Sequence, residues 1–217
     1  MNLELPAERV AVKICGLTNR DDAMEAIDAG ADFLGFNTWK GTKRFIDLEQ
    51  SADWIAGLSR SVCRVALLVN ASRLETERVA GLSFVDVLQF HGDEDGAFCK
   101  WAAGLGKPII KAIRARGAGA FAEAGTFSTQ HVLLDTHVAG EFGGTGVRVE
   151  VEPVLRFKRA HPGLSLWLAG GLTPENVAAA VREIRPRVVD VSSGVESAPG
   201  RKDAEKMRAF VAAARGA

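Results

Sequence analysis

The sequence predicts one (β/α)8 barrel of the TIM type, a single domain over residues 1–217. Three observations lead there. Short β-branched or apolar runs alternate with longer amphipathic stretches from one end of the chain to the other. Eight such units in 217 residues come to roughly 27 residues each, near the lower end for a closed parallel barrel. No Gly-x-Gly-x-x-Gly follows the first strand, where Cys15-Gly16-Leu17-Thr18 stands, which argues against a doubly wound open sheet.

The predicted strands are Val10–Cys15, Phe33–Phe36, Arg64–Val69, Val85–Phe90, Pro108–Ile113, His131–Leu134, Leu164–Ala169 and Val188–Val191. Helical periodicity fills the intervals at Asn19–Ala29, Asp47–Leu58, Ser72–Leu82, Gly96–Leu105, Ala118–Ala124, Glu150–His161 and Pro174–Ile184, and an eighth helix follows at Asp203–Arg215. Two helix starts are marked. Asp47 stands three residues before Gln50 in capping-box spacing, and Thr173-Pro174 offers a hydroxyl for free amides with a proline at the first helical position. No proline-rich linker or change of composition divides the chain.

Composition removes several function classes. Lys+Arg and Asp+Glu both number 27, so a strongly basic nucleic-acid surface is excluded. Apolar runs such as Val65–Val69 and Leu164–Ala169 fall far short of the roughly 18 residues that a membrane-spanning helix needs. Met1–Val10 shows neither a basic n-region nor an apolar h-region, and a cytoplasmic protein is expected. Cys15, Cys63 and Cys99 form no C-x-x-C pair, and reduced thiols are expected. The four histidines lack the spacing that puts two imidazoles on one helical face, and no metal is expected. The apolar faces of the outer helices pack on a barrel in any case, leaving monomer and homodimer both open.

In such a barrel, chemistry sits where the strands end. On the first strand the period of two puts Lys13 and Cys15 on one face, with the thiol toward the mouth. A nearby ammonium favours thiolate, which is both nucleophile and base, although a lone cysteine is often only a small buried hydrophobe. Cys63 and Cys99 lie away from that face and read as structural. Asp135 ends the sixth strand after an uncharged run, as a general acid raised by desolvation or as a loop cap. Glycine-rich segments follow strand six (Gly143-Gly144-Thr145-Gly146), strand seven (Gly170-Gly171) and strand eight (Ser192-Ser193-Gly194). The last two occupy the loops that commonly hold phosphate through backbone amides. Gln89 and His91 point the same way at the end of strand four, and Arg44 lies in the polar loop after strand two; they could bind a polar or anionic group, or His91 could be a structural histidine and Arg44 part of a solvated basic run with Lys40 and Lys43.

Six segments, in order, match one family: Lys13-Ile14-Cys15-Gly16-Leu17-Thr18, Gln89-Phe90-His91-Gly92-Asp93-Glu94, Leu133-Leu134-Asp135, Gly143-Gly144-Thr145-Gly146, Leu168-Ala169-Gly170-Gly171-Leu172 and Asp190-Val191-Ser192-Ser193-Gly194-Val195-Glu196. Over nearly its whole length the chain closely resembles the phosphoribosylanthranilate isomerases of tryptophan biosynthesis. The resemblance implies an Amadori rearrangement of N-(5-phosphoribosyl)anthranilate to 1-(2-carboxyphenylamino)-1-deoxyribulose 5-phosphate, without a cofactor. It implies Asp135 as general acid and Cys15 as general base. Gly170, Gly171, Ser192, Ser193 and Gly194 would hold the phosphate and Arg44 the anthranilate carboxylate, with Gln89, His91, Gly144 and Asp190 also among the substrate-binding residues. Two loops depart from the family pattern. Phe36–Phe45 lacks the usual proline and serine, and Val147-Arg148-Val149-Glu150 replaces a Phe-Asp-Trp segment. Other phosphosugar barrels, an epimerase or an indole-glycerol-phosphate synthase, and a non-catalytic phosphate-binding barrel are the alternatives. The epimerases use paired carboxylates with a metal and the synthase a lysine acid, so a Cys15/Asp135 pair speaks against both.

Overall fold

The computed structural model describes residues 3–114, 126–135 and 151–217. Eight parallel strands close a barrel in chain order: β1 (Ala11–Cys15), β2 (Phe33–Asn37), β3 (Cys63–Leu68), β4 (Val87–Phe90), β5 (Ile109–Arg114), β6 (His131–Asp135), β7 (Ser165–Ala169) and β8 (Val188–Val191). β8 returns to β1 with Asp190 opposite Lys13. Every predicted strand is present, its ends shifted by no more than a residue or two.

Around the barrel lie α1 (Arg20–Asp28), α2 (Ala52–Ala56), α3 (Arg73–Gly81), α4 (Gly96–Ala103), α5 (Val151–Ala160), α6 (Val177–Ile184) and α7 (Ala204–Arg215). A short antiparallel hairpin, β9 (Glu196–Ala198) and β10 (Arg201–Lys202), precedes α7. The helix expected at Ala118–Ala124, the Gly143–Gly146 loop and the Val147–Glu150 segment lie outside the described residues, as does Glu150 at the expected start of α5. Among the described residues, no helix is long and apolar enough to cross a membrane.

Two helix starts differ from expectation. Asp47 Oδ1 does accept the Glu49 and Gln50 amides, at 3.0 and 3.1 Å, but these close a turn, and α2 starts only at Ala52. At Thr173 the local bond that forms is its own amide donating to Asn176 Oδ1 at 2.8 Å, while the Asn176 and Val177 amides donate to the Thr173 carbonyl. The regular helix therefore starts at Val177, after a turn. A full capping box is present on α3 instead, where Ser72 and Glu75 bond each other's backbone amides.

Side-chain alternation along the strands makes two cores. Val12, Ile14, Leu34, Leu88 and Leu168 face the helices, whereas Ala11, Phe33, Val65, Val87, Leu133 and Trp167 fill the barrel. The Phe33 and Trp167 rings, 4.9 Å apart, occupy the lower interior. Further along the same inward rows stand Lys13, Gln89 and Asp190, then Cys15, His91 and Asp135. Apolar packing below thus gives way to chemistry at the mouth.

Candidate active site

A cavity of about 850 Å³ opens at the C-terminal ends of the strands. Cys15, Arg44, His91, Asp135, Gly170, Gly171, Asp190, Ser192, Ser193 and Gly194 all line it. Ten of the twelve expected site residues therefore meet in one place. Gly144 lies outside the described residues, and Gln89 lies beneath the cavity wall. A second cavity, of about 360 Å³, runs between residues 38–49 and α3 and contains neither Cys15 nor Asp135.

Cys15 ends β1 with its side chain inward, 7% exposed. Gly35, its register partner on β2, leaves the room it occupies: a Cβ there would lie 2.8 Å from the Cys15 Sγ and 2.9 Å from the Lys13 Nζ. Lys13 is fully buried and holds Asp190 with Nζ–O distances of 3.1 and 3.0 Å. Burial pushes the thiol above its usual range, outweighing the opposite pull of the Lys13 ammonium. The expected activation by Lys13 is thus present but offset, since the same burial that places the thiol disfavours its charge and Asp190 opposes the anion as well. Cys99, buried in α4, is pushed up to about 11 by burial, which suits an unreactive packing thiol.

Asp135 ends β6, its side chain 25% exposed. Its Oδ2 lies 3.2 Å from His91 Nε2, and His91 Nδ1 lies 3.2 Å from Gln89 Nε2. If the Gln89 amide donates to Nδ1, the imidazole carries its proton on Nε2 and presents it to Asp135. Gln89 is fully buried, so it reaches the cavity through His91 instead of contacting a ligand itself. Its Oε1 is buried without a hydrogen-bond partner among the described residues.

After β8 the backbone bends at Ser192 into a 3₁₀ turn, Ser193–Val195. Gly194 packs directly against the Leu172 carbonyl, a contact a Cβ would obstruct, so the loops after β7 and β8 form one wall. Arg44 approaches that wall from the β2 side. Its Nε and Nη2 donate to Glu196 Oε1 and Oε2 at 2.7 and 2.6 Å.

Residues 12–213 match the family described as N-(5'-phosphoribosyl)anthranilate (PRA) isomerase. The chain belongs to the phosphoribosylanthranilate isomerase family. It is 44% identical over 210 residues to the N-(5'-phosphoribosyl)anthranilate isomerase of Pseudomonas fluorescens strain Pf0-1, covering 95% of this chain and 98% of the relative. The crystal structure of phosphoribosyl anthranilate isomerase from Thermotoga maritima superposes with a TM-score of 0.87 at 35% identity, over 96% of this chain and all of that one. A phosphoribosyl anthranilate isomerase in complex with reduced 1-(o-carboxyphenylamino)-1-deoxyribulose 5-phosphate gives 0.82 at 32% identity, over 96% and 100% of the two chains.

Within this phosphoribosylanthranilate isomerase barrel, the atypical Phe36–Phe45 loop still delivers Arg44 to the cavity. Thr38 anchors it by donating to the Leu67 carbonyl at 2.9 Å, and Asn37 Oδ1 accepts the Trp39 amide at the same distance. Trp39, 48% exposed, borders the cavity beside Arg44 and was not among the expected site residues. Neither were Glu196 and Lys202. Glu196 stood in a matched motif without a role, and Lys202 had no signal beyond its place after Pro199-Gly200.

Proposed function

We propose that this chain catalyses the Amadori rearrangement of N-(5-phosphoribosyl)anthranilate to 1-(2-carboxyphenylamino)-1-deoxyribulose 5-phosphate in tryptophan biosynthesis. The observation that carries the reading is that Cys15 and Asp135 share one cavity with the two phosphate-type loops and with Arg44.

Asp135, as general acid, protonates the furanose ring oxygen while the anilino nitrogen lone pair moves to C1, so that the C1–O bond breaks and an iminium ion forms. The positive iminium acidifies the C2 hydrogen and favours a nearby anion. The buried Cys15 thiol, raised by its surroundings before substrate binds, then becomes easier to ionise and releases its proton to solvent in the cavity. As thiolate it takes the C2 proton, and the C–H electrons form the C1–C2 double bond as nitrogen becomes neutral. Protonation of the enolamine at C1 and loss of the C2 hydroxyl proton give the ketose. The substrate's own nitrogen is the electron sink, so the scheme calls on no cofactor.

Backbone amides of Gly170, Gly171, Ser193 and Gly194 suit the phosphate, with the Ser192 and Ser193 hydroxyls as further donors. The end of Arg44 not taken by Glu196 suits the anthranilate carboxylate. Asp190 contributes through Lys13 and Cys15. His91 orients the Asp135 carboxyl from Nε2, and Asp135 regains the proton spent on the ring oxygen as the C2 hydroxyl gives up its own, directly or through solvent.

The test generates phosphoribosylanthranilate in situ from anthranilate and phosphoribosyl pyrophosphate, with EDTA present, and follows the loss of its fluorescence on adding the purified protein. Accelerated loss, with the ketose identified by mass, is the expected result. Folded protein without acceleration refutes the assignment.

A further inference from the structure

Glu196 sits at the centre of a buried charge network joining the two ends of the cavity. It is 9% exposed and starts the β9–β10 hairpin. Its Oε1 accepts from Arg44 Nε at 2.7 Å and from Lys202 Nζ at 2.9 Å, while Oε2 accepts from Arg44 Nη2 at 2.6 Å. The Lys202 side chain has no solvent exposure, and its ammonium also donates to the Ser192 carbonyl at 3.1 Å. Lys202 thus ties Glu196 to the bend that opens the phosphate-type loop.

Guanidinium geometry gives this network a purpose. Arg44 carries five N–H donors in one plane, grouped into a side edge (Nε and Nη2) and an end edge (Nη1 and Nη2). Glu196 takes the side edge with two bonds and leaves the end edge for a second carboxylate. The arginine stem is fixed as well. Gly16, at φ +78°, passes so close beneath it that a Cβ would lie 2.6 Å from Arg44 Cδ. A long, flexible side chain in an atypical loop is thereby held in one orientation at the cavity wall.

We propose that Glu196, itself held by Lys202, is a positioning residue that aims the end edge of Arg44 at the anthranilate carboxylate. This rests on the assignment of Arg44 to that carboxylate. Glu196 acts through Arg44 and does not touch the reacting atoms, so its loss weakens binding of the anthranilate end and spares the chemical step.

The test compares Glu196→Gln, Arg44→Ala and the double variant by KM and kcat for in situ substrate, with thermal melts to verify folding. Affinity for inorganic phosphate reports the other end of the cavity. Glu196→Gln is expected to raise KM about ten-fold, at the lower end of the 10–100-fold effect seen when the partner that orients a metal ligand is removed. Its kcat should stay within about three-fold of the parent, and any loss of phosphate affinity, through Lys202 and the Ser192 bend, should be several-fold smaller than the rise in KM. In the double variant KM should rise no further than in Arg44→Ala alone. If Glu196→Gln fails to fold, Glu196→Asp keeps the charge beside Lys202 but shortens the reach to Arg44, and the same KM rise is expected. A raised KM in Arg44→Ala with a normal KM in both Glu196 variants overturns the positioning role alone. So does full additivity in the double variant. A normal KM in Arg44→Ala overturns the carboxylate assignment and this role with it.

Discussion

Replacing Lys13 by Met separates what the buried ion pair does for the fold from what it does for the thiol. Met is nearly as long and unbranched, so packing changes little while the ammonium 3.0 Å from Asp190 is lost. Asp190, 6% exposed, is then left as a buried carboxylate without its ammonium. Breaking such a pair costs about 3–5 kcal/mol. The loss has a ceiling, because Asp190 can take up a proton instead. At 1.4 kcal/mol per pH unit above an ordinary carboxyl pKa of about 3.9, protonation costs about 4 kcal/mol at pH 7 and about 1.5 kcal/mol at pH 5. The sign follows from Asp190 having a folded pKa raised above its unfolded one, by burial and now without Lys13. The penalty is absent at low pH and grows as pH rises, so the stability gap between variant and parent should narrow by about 2–3 kcal/mol between pH 7 and pH 5. Denaturant unfolding at the two pH values measures it. Adding Asp190→Asn should restore much of the stability at pH 7 but not turnover, because the thiol still lacks the ammonium that favours its anion. The acid limb of kcat/KM should accordingly move to higher pH in Lys13→Met. A gap independent of pH, or full activity in the double variant, would refute the reasoning.

Cys15→Ser and Asp135→Asn should each lower kcat by about 10²–10⁴-fold with ligand affinity retained, as steady-state kinetics and calorimetric binding of the reduced product would reveal; near-normal turnover in either variant removes that residue from its role. Gly35→Ala sets a methyl 2.8 Å from the Cys15 Sγ and should cost about 1–3 kcal/mol of stability and displace the thiol, so a variant with parental melting temperature and kcat contradicts the packing described. For Gln89→Leu the expected outcome is a lower kcat at unchanged KM, because His91 loses the amide that fixes its ring while the cavity wall is untouched; a KM effect without a kcat effect would argue for direct contact with substrate.

The strands were legible because a buried parallel strand needs a continuous apolar run, and eight such runs left few topologies to choose among. Inward placement of Lys13 and Cys15 followed from the two-residue period, and the loops after β7 and β8 announced themselves by glycines and serines. The helix starts were less legible, because side-chain caps compete. Thr173 had the right residues around it, yet its amide found the Asn176 side chain, a choice between local bonds of similar strength. Ser72 and Glu75 formed the box that Asp47 and Gln50 only suggested.

The least legible feature was the identity of each charge's partner. Arg44 and Glu196 are 152 residues apart, and Lys13 and Asp190 are 177 apart; barrel closure, not sequence spacing, brings each pair together. The thiol shows the consequence. Lys13 two residues before Cys15 promises a thiolate, but the closed barrel also buries the sulfur and sets Asp190 against the same ammonium, and the balance reverses. On the role proposed for Cys15, a base kept protonated in the free enzyme would gain chemically: the iminium charge that acidifies the C2 hydrogen also favours the thiolate that takes it. Under that proposal ring opening and deprotonation are coupled through one charge, and the Lys13 ammonium, by favouring the anion, lowers what the iminium must supply.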